Sequence, residues 1–153
     1  MTRQLSRDLD GNNTEIVLQT FADRVLVLVT QLGKVGNLIQ ATIPETTPLF
    51  PAVQDPARPN VQALPEPPAS IQLTPLLGNA PSQHLQTLHS LYAAQIATIV
   101  WTAGLNNPLE VSRKSVIVGI ALRKSDGENT DNERSTFTRV MSMVFELVAE
   151  PLD

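Results

Sequence analysis

The feature that most constrains this chain is an apolar run that leads into a glycine-rich turn. Residues 25–32 read VLVLVTQL, and the GKVG segment that follows carries Gly33 and Gly36. A run of eight residues is too short to cross a membrane as a helix, which takes about 20 residues. Short apolar runs bounded by turn residues are typical of strands buried on both faces, and glycine permits the positive φ angles that reverse a chain. The run therefore predicts a strand in the middle of a β-sheet.

The segments on either side of this run predict its neighbours in the sheet. Residues 37–43, NLIQATI, alternate in polarity, which is the pattern of a half-buried strand. Residues 14–21, TEIVLQTF, also alternate, and Ala22-Asp23 is short enough for a tight turn into the apolar run. We therefore expect a three-stranded antiparallel meander in which the strands 25–32 and 37–43 form the central hairpin.

The N-terminal segment differs in character from the rest of the chain. Residues 1–13 are polar and are predicted to form a disordered tail. Residues 14–150 are numerous enough for one domain with its own core. The first residues contain no apolar stretch typical of a signal peptide, so the cytosol or the nucleus is the expected location.

Prolines are concentrated in one part of the chain. Nine of the twelve fall within residues 44–75, where each removes a backbone donor and fixes φ. We therefore expect a long extended loop over residues 44–68, and an edge strand within 69–77. The loop has two interpretations: a partner-binding arm that docks through Leu49 and Phe50, or an insertion without a function.

The second half of the sequence predicts two helices and another central strand. Apolar residues at spacings of three and four favour a helix of about 20 residues that ends at Gly104. A second helix is predicted over 132–149, with Pro151 beyond its end. Residues 115–122, SVIVGIAL, form a second doubly apolar strand, expected beside 25–32. The fold class is therefore α+β: a mainly antiparallel sheet of five to six strands with two helices packed on one face.

The last helix carries more apolar residues than one stripe requires. Its main stripe is accompanied by Met143, Phe145 and Leu147, which lie partly off it. One interpretation is that these residues contact a partner, because exposed apolar patches mark interaction sites. The other is that Phe145 and Leu147 widen the stripe that faces the core.

Few residues suggest catalysis or ligand binding. The chain has no cysteine, and a net charge of −4 with a pI near 5.1 argues against nucleic acid as a partner. His84 and His89 are five residues apart, so they do not share a helix face and are expected to be solvated or to cap the helix. No nucleophile motif or carboxylate pair is present. The sequence therefore predicts neither an enzyme nor a cofactor or metal site.

The turn at Gly33–Gly36 leaves one alternative open. Its GKVG sequence is similar to part of a phosphate-binding loop, but such a loop needs another glycine five residues earlier and Ser or Thr after the lysine. Leu28 and Val35 occupy those two places. A small-molecule or nucleotide-binding α+β domain that uses this turn is the alternative to a protein-binding function.

The strand and turn together resemble the signature of the proteasome assembly chaperone 3 family. In that family an apolar strand ends in a Thr-Gln-x-Gly-Lys-x-Gly turn, and here the turn consists of Thr30, Gln31, Leu32, Gly33, Lys34, Val35 and Gly36. Leu76-Leu77-Gly78 before the long helix, and SVIVGIALR at 115–123, are similar to further parts of the family pattern. The proline-rich insertion and the stretch between Gly104 and Ser115 depart from it.

The resemblance implies a non-catalytic chaperone of proteasome assembly. Family members form a heterodimer with proteasome assembly chaperone 4, a similar small α+β protein, and the pair binds proteasome α-subunits, notably the α5 subunit. The pair promotes assembly of the α-ring and leaves before the 20S particle matures. For this chain the resemblance implies a chaperone 4-like partner or a homodimer, with Thr30, Gln31, Gly33, Lys34 and Gly36 as candidate partner-binding residues.

Overall fold

The computed structural model describes residues 2–9, 11–31, 33, 36–50, 52–54, 56–57, 63–78, 80, 82–104, 114–122 and 130–149. Within these residues lie six strands and two helices. In chain order they are β1 (Thr2–Leu9), β2 (Asn12–Thr20), β3 (Arg24–Thr30), β4 (Asn37–Thr42), β5 (Gln72–Leu77), α1 (Gln83–Gly104), β6 (Ser115–Ala121) and α2 (Thr130–Ala149).

The six strands form one sheet in the order β1-β2-β3-β6-β4-β5. Four of the five pairings are antiparallel, and β3 with β6 is the parallel pair. The predicted α+β class with a mainly antiparallel sheet is therefore confirmed. The two doubly apolar strands are neighbours in the middle of the sheet, as their composition predicts, because inner positions shield both faces of a strand.

The helices cover one face of this sheet. α1 packs on β4, β5 and β6, and α2 packs on β1 and β2. Alternate residues of the inner strands point into the resulting core; the fully shielded ones include Ile16, Val27, Val29, Ile39, Val116, Val118 and Ile120. Tyr92 of α1 and Phe137 of α2 meet edge to face with ring centroids 4.9 Å apart, which joins the two helices.

The start of α1 follows from local chemistry. The Oγ of Ser82 accepts a hydrogen bond from the backbone N–H of Leu85 at 3.2 Å, which satisfies one of the free donors of the first turn. Along the helix, Tyr92, Ile96 and Ile99 recur at spacings of four and three and are all buried. The predicted helix and its apolar stripe are both confirmed. Within the described residues, neither helix combines the length and apolarity needed to cross a membrane.

The predicted central hairpin is wrong. β4 does not pair with β3; β6 lies between them and pairs with both strands. The antiparallel meander consists instead of β1, β2 and β3. The reason is that β6 is apolar on both sides, so it is better shielded between two strands than at an edge. The local turn sequence does not show that β6, rather than β4, pairs with β3.

The prediction of a disordered tail over residues 1–13 is also wrong for the part described as β1. This strand pairs with β2 along its whole length, and the Asp8 carboxylate accepts a hydrogen bond from the Gly11 N–H at 2.7 Å where the chain turns. Arg3 donates to the Leu147 carbonyl oxygen at 2.5 Å, and Arg7 forms a 2.7 Å ion pair with Glu146. A polar strand is thus held at the sheet edge by α2.

The described parts of the proline-rich segment are anchored at several points. The Thr47 and Ser70 hydroxyls are 2.8 Å apart, so the two ends of the segment meet. Gln95 of α1 donates to the Pro65 carbonyl oxygen at 2.8 Å, and Leu64 packs against the core. The predicted edge strand is confirmed as β5, where Pro75 is tolerated because only one side of the strand pairs.

Candidate partner-binding surface

The sheet face opposite the helices is the most distinctive surface of the described residues. Side chains on this face alternate with the core residues, so Leu26 and Leu28 of β3 flank the buried Val27 but point away from the helices. No described helix packs over this face, and both leucines remain partly exposed to solvent. We call this surface the open face.

The strand register places apolar residues of the open face in two rows. In the central row Val17 pairs with Leu28, Leu28 with Gly119, and Gly119 with Leu38. In the flanking row Leu26 pairs with Ile117, between Gln19 and Gln40. The central row is extended at the edge by Leu77, which is 64% exposed and lies opposite Leu38. An apolar band therefore crosses the sheet; it is partly exposed on β2, β3 and β4 and buried where it crosses β6.

The rim of the open face is polar and carries little charge. Thr30, Gln40, Thr42 and Thr74 alternate with core-facing neighbours and so lie on this side. The Glu15 carboxylate accepts a hydrogen bond from the Gln4 amide across the β1–β2 pair. An apolar centre within a weakly charged polar border is the anatomy of a protein–protein interface.

The turn that carries the family resemblance is built into the sheet. The Gln31 N–H donates to the Ala121 carbonyl oxygen at 2.9 Å, and the Gln31 side chain donates to the Thr14 hydroxyl at 3.0 Å. Gly36 has φ of 71°, and a Cβ there would lie 2.2 Å from the Ile120 carbonyl oxygen. Gln31 and Gly36 therefore contribute to the fold itself, with Gly36 fixing how closely the turn approaches β6.

The other candidate residues of the turn have different surroundings. Thr30 ends β3 on the open face, and Gly33, with φ of 69°, has open space where a side chain would stand. Lys34 lies outside the described residues, so its predicted role in partner binding stays a prediction. The nucleotide-binding alternative depends on the same turn and is likewise untested.

The predicted partner contact on α2 is wrong for Met143 and Leu147, whereas for Phe145 it stays a prediction. Met143 and Leu147 are both 0% exposed and belong to the core, and Phe145 is half-buried against it. The interpretation in which these residues widen the core stripe is the one that the structure supports. The physical reason is that α2 lies between α1 and the β1–β2 edge of the sheet, so more than one side of this helix is covered.

Leu49 and Phe50 differ in their exposure to solvent. Leu49 packs against the core, whereas Phe50 is 72% exposed. Leu49 is thus an anchor of the proline-rich segment, and only Phe50 of the two is available for a contact with another protein. Whether the segment acts as a binding arm stays a prediction.

The two histidines have different environments. His84 is exposed and lies 2.8 Å from the Glu133 carboxylate, as expected of a solvated histidine. His89 is buried, contrary to the expectation, and its Nδ1 lies 3.2 Å from the Asn37 side-chain amide at the start of β4. Burial lowers the pKa of His89, so the neutral ring accepts from Asn37 and ties α1 to the sheet. No group of three His, Asp or Glu side chains capable of holding a metal occurs among the described residues.

The open face was not predicted from the sequence. Leu26 and Leu28 lie in an apolar run, which indicates that both faces of the strand are buried. The run does not indicate whether the second face is covered by this chain or by a partner. The register places the buried Gly119 of SVIVGIAL between Leu28 and Leu38 of the neighbouring strands, and no local signal in the sequence indicates that this face is left without a described helix.

Comparison with known proteins adds a distant structural similarity. No known family model matches the sequence, and no curated protein matches it. Among solved structures the chain is similar to one described as "Crystal Structure of a Novel Chaperone Complex for Yeast 20S Proteasome Assembly". The identity is 9% and the TM-score 0.47, over 94% of this chain and 98% of that chain. At this identity and TM-score the similarity carries no conclusion about activity or partners.

Proposed function

We propose that this protein is a non-catalytic assembly chaperone that pairs through its open face and binds proteasome α-subunits. In this proposal it acts in the cytosol or nucleus, promotes assembly of the 20S α-ring, and pairs with a related small α+β chaperone or with a second copy of itself. The α5 subunit is the proposed principal client.

Two independent features support the proposal. The first is the turn from Thr30 to Gly36, whose residues resemble the proteasome assembly chaperone 3 signature. The second, which carries the pairing step, is the apolar band of the open face around Leu28 and Leu38. In a two-layer domain one sheet face is covered by helices and the other needs its own cover, and a second sheet packed face to face is a stable solution.

The occupant of the open face is inferred from its charge. The band spans β2, β3, β6 and β4 and carries neutral glutamine and threonine side chains at its border. A neutral surface fits another neutral sheet better than a basic or acidic peptide, which needs opposite charges for recognition. The client contact is assigned to a different surface, because the open face is occupied once the pair has formed.

The proposal is tested with purified components. The immobilised protein should retain individually purified proteasome α-subunits, most strongly α5, when the related chaperone is present. Leu28→Lys should lose the related chaperone, because the lysine charge would be buried against an apolar surface. Leu91→Lys is the matched control, since Leu91 is 56% exposed on α1 and away from the open face.

The result that contradicts the proposal is equally specific. If the folded wild-type protein retains no α-subunit, with or without the related chaperone, the chaperone function is wrong. If it retains α-subunits but Leu28→Lys still binds the related chaperone as the wild type does, the pairing surface lies elsewhere.

A further inference from the structure

Two short turns at the ends of the proline-rich segment lie against each other. In the first turn the Thr47 N–H donates to the Pro44 carbonyl oxygen at 3.1 Å, and in the second the Ile71 N–H donates to the Pro68 carbonyl oxygen at 3.2 Å. The hydroxyl oxygens of Thr47 and Ser70 are 2.8 Å apart at the surface of the protein. A side-chain hydrogen bond therefore joins the two turns.

The hydroxyl on the first of these turns is followed by a proline. Thr47-Pro48 is one of two places in the sequence where Ser or Thr directly precedes Pro, and the other is Thr74-Pro75. A proline in that position has no N–H and a fixed φ. The proline-directed class of protein kinases selects its acceptor hydroxyls by this proline, so the sequence offers such a kinase two candidate acceptors.

The two acceptors differ in how their backbone is held. Thr47 follows the end of β4 and lies outside the sheet, and its hydroxyl contact with Ser70 is exposed to solvent. Thr74 lies within β5 and pairs with Gln40, so a kinase could bind it as an extended chain only if β5 left the sheet. Enzymes that modify a folded chain act mostly on surface loops, whose backbone is not paired in a sheet. The structure therefore favours Thr47.

The reaction at this hydroxyl transfers one phosphoryl group from ATP. The Thr47 oxygen forms a bond to the γ-phosphorus, and the bond from that phosphorus to the oxygen bridging the β- and γ-phosphates breaks. ADP leaves, and a base of the kinase accepts the hydroxyl proton. The product side chain carries a charge of about −1.5 to −2 at pH 7.

A phosphate at Thr47 opposes the contact between the two turns. The ester oxygen can no longer donate, and a phosphorus with its oxygens is added where the Thr47 and Ser70 oxygens are 2.8 Å apart. None of the described lysines or arginines lies in the proline-rich segment, and over residues 44–71 the sequence has three acidic residues against Arg58 alone. A dianion with few cations nearby is best stabilised by water, so the phosphate moves the Thr47 side chain away from Ser70.

We propose that Thr47 is a phosphorylation site for a proline-directed protein kinase, and that the phosphate separates the turn at Thr47 from the turn at Ser70. Leu49 packs against the core two residues after Thr47, so the separation reaches an anchored part of the proline-rich segment. The site lies in that segment and not on the open face, and the inference does not depend on the proposed function.

The site is tested on the full folded chain with a purified mitogen-activated protein kinase and ATP. The wild type and Thr74→Ala should each gain a phosphate that tandem mass spectrometry places on Thr47, and Thr47→Ala should gain none. Pro48→Ala keeps both threonine hydroxyls but removes the proline that the kinase selects, so its phosphorylation should be at least about tenfold slower. A wild type without phosphate on Thr47, or a Pro48→Ala variant modified as fast as the wild type, overturns the site.

Hydrogen exchange followed by mass spectrometry tests the structural consequence. Ile71 lies on the turn that is not modified, and its amide should exchange at least about tenfold faster in the phosphorylated protein than in the unmodified one. Ser70→Ala removes the same hydrogen bond without adding a charge, so it should give a smaller increase. Unchanged or slower exchange at Ile71 in the phosphorylated protein means that Ser70 still contacts Thr47, and it overturns the separation of the two turns.

Discussion

Replacing Val27 with aspartate should destabilise the native fold severely. Val27 is 0% exposed, lies in the middle of β3 and is paired with Leu18 and Val118 on the helix-covered face. An aspartate there would bury an unpaired charge, with an expected loss of about 4 kcal/mol or more in the free energy of unfolding. A domain of this kind has only about 5–15 kcal/mol in total. Urea denaturation followed by circular dichroism measures the change.

The adjacent residue provides a matched control for this prediction. Leu26→Asp makes the same kind of charge change one position away in β3, but on the open face, where the side chain reaches solvent in the isolated chain. The variant should keep the wild-type circular dichroism spectrum and lose less than half of the stability that Val27→Asp loses. Equal losses for the two variants, or a Val27→Asp protein as stable as the wild type, would contradict the assignment of the two faces.

Gly36→Ala should be the second strongly destabilising substitution. The residue combines φ of 71° with a position where a Cβ would lie 2.2 Å from the Ile120 carbonyl oxygen and 2.7 Å from the Ala121 side chain. The strain of the left-handed backbone conformation and the clash with the backbone of β6 add together. We therefore expect the free energy of unfolding to fall by about 3 kcal/mol, or the melting temperature by about 10 °C. Differential scanning calorimetry gives the melting temperature.

Gly33→Ala separates the two causes. Gly33 has nearly the same backbone conformation, with φ of 69°, but nothing lies within 4 Å of the position of its missing Cβ. Gly33→Ala should lower the free energy of unfolding only through conformational strain, by about 1 kcal/mol. If the two alanine variants melt at the same temperature, the close approach of Gly36 to β6 is not what makes this glycine necessary.

Local patterns predicted most of the elements of the fold. The run at 25–32 predicted β3, the alternation at 37–43 predicted β4, and the stripe of Tyr92, Ile96 and Ile99 predicted α1. Strand and helix periodicity are local properties, so they can be read from neighbouring residues. The expected side-by-side placement of β3 and β6 was also correct, because two doubly apolar strands both need inner positions.

The errors concern contacts between residues far apart in the chain. β6 lies between β3 and β4 although about 80 residues separate β3 from β6 in the chain. The polar strand β1 contacts α2, at the other end of the sequence, through Arg3 and Arg7. The periodicity of a segment contains no information about which distant residues of the same chain will contact it.

The candidate surface was misplaced for a related reason. Apolarity identifies residues that need cover but not what supplies the cover. Met143 and Leu147 were expected to meet a partner and are instead covered by their own chain, whereas Leu26 and Leu28 were expected to be fully covered and are left partly open. Which apolar residues are covered by their own chain depends on the sheet face on which the helices pack, and both helices pack on the same face.

The mass of the protein in solution tests the pairing through the open face most directly. At micromolar concentration, sedimentation equilibrium of the wild type and of Leu91→Lys should give the mass of a pair: about twice the chain mass of 16.6 kDa alone, or the summed mass when the related chaperone is added. A folded Leu28→Lys should give the mass of one chain in both cases. A wild type that stays monomeric both alone and with the related chaperone, or a Leu28→Lys variant that associates as the wild type does, would contradict the account.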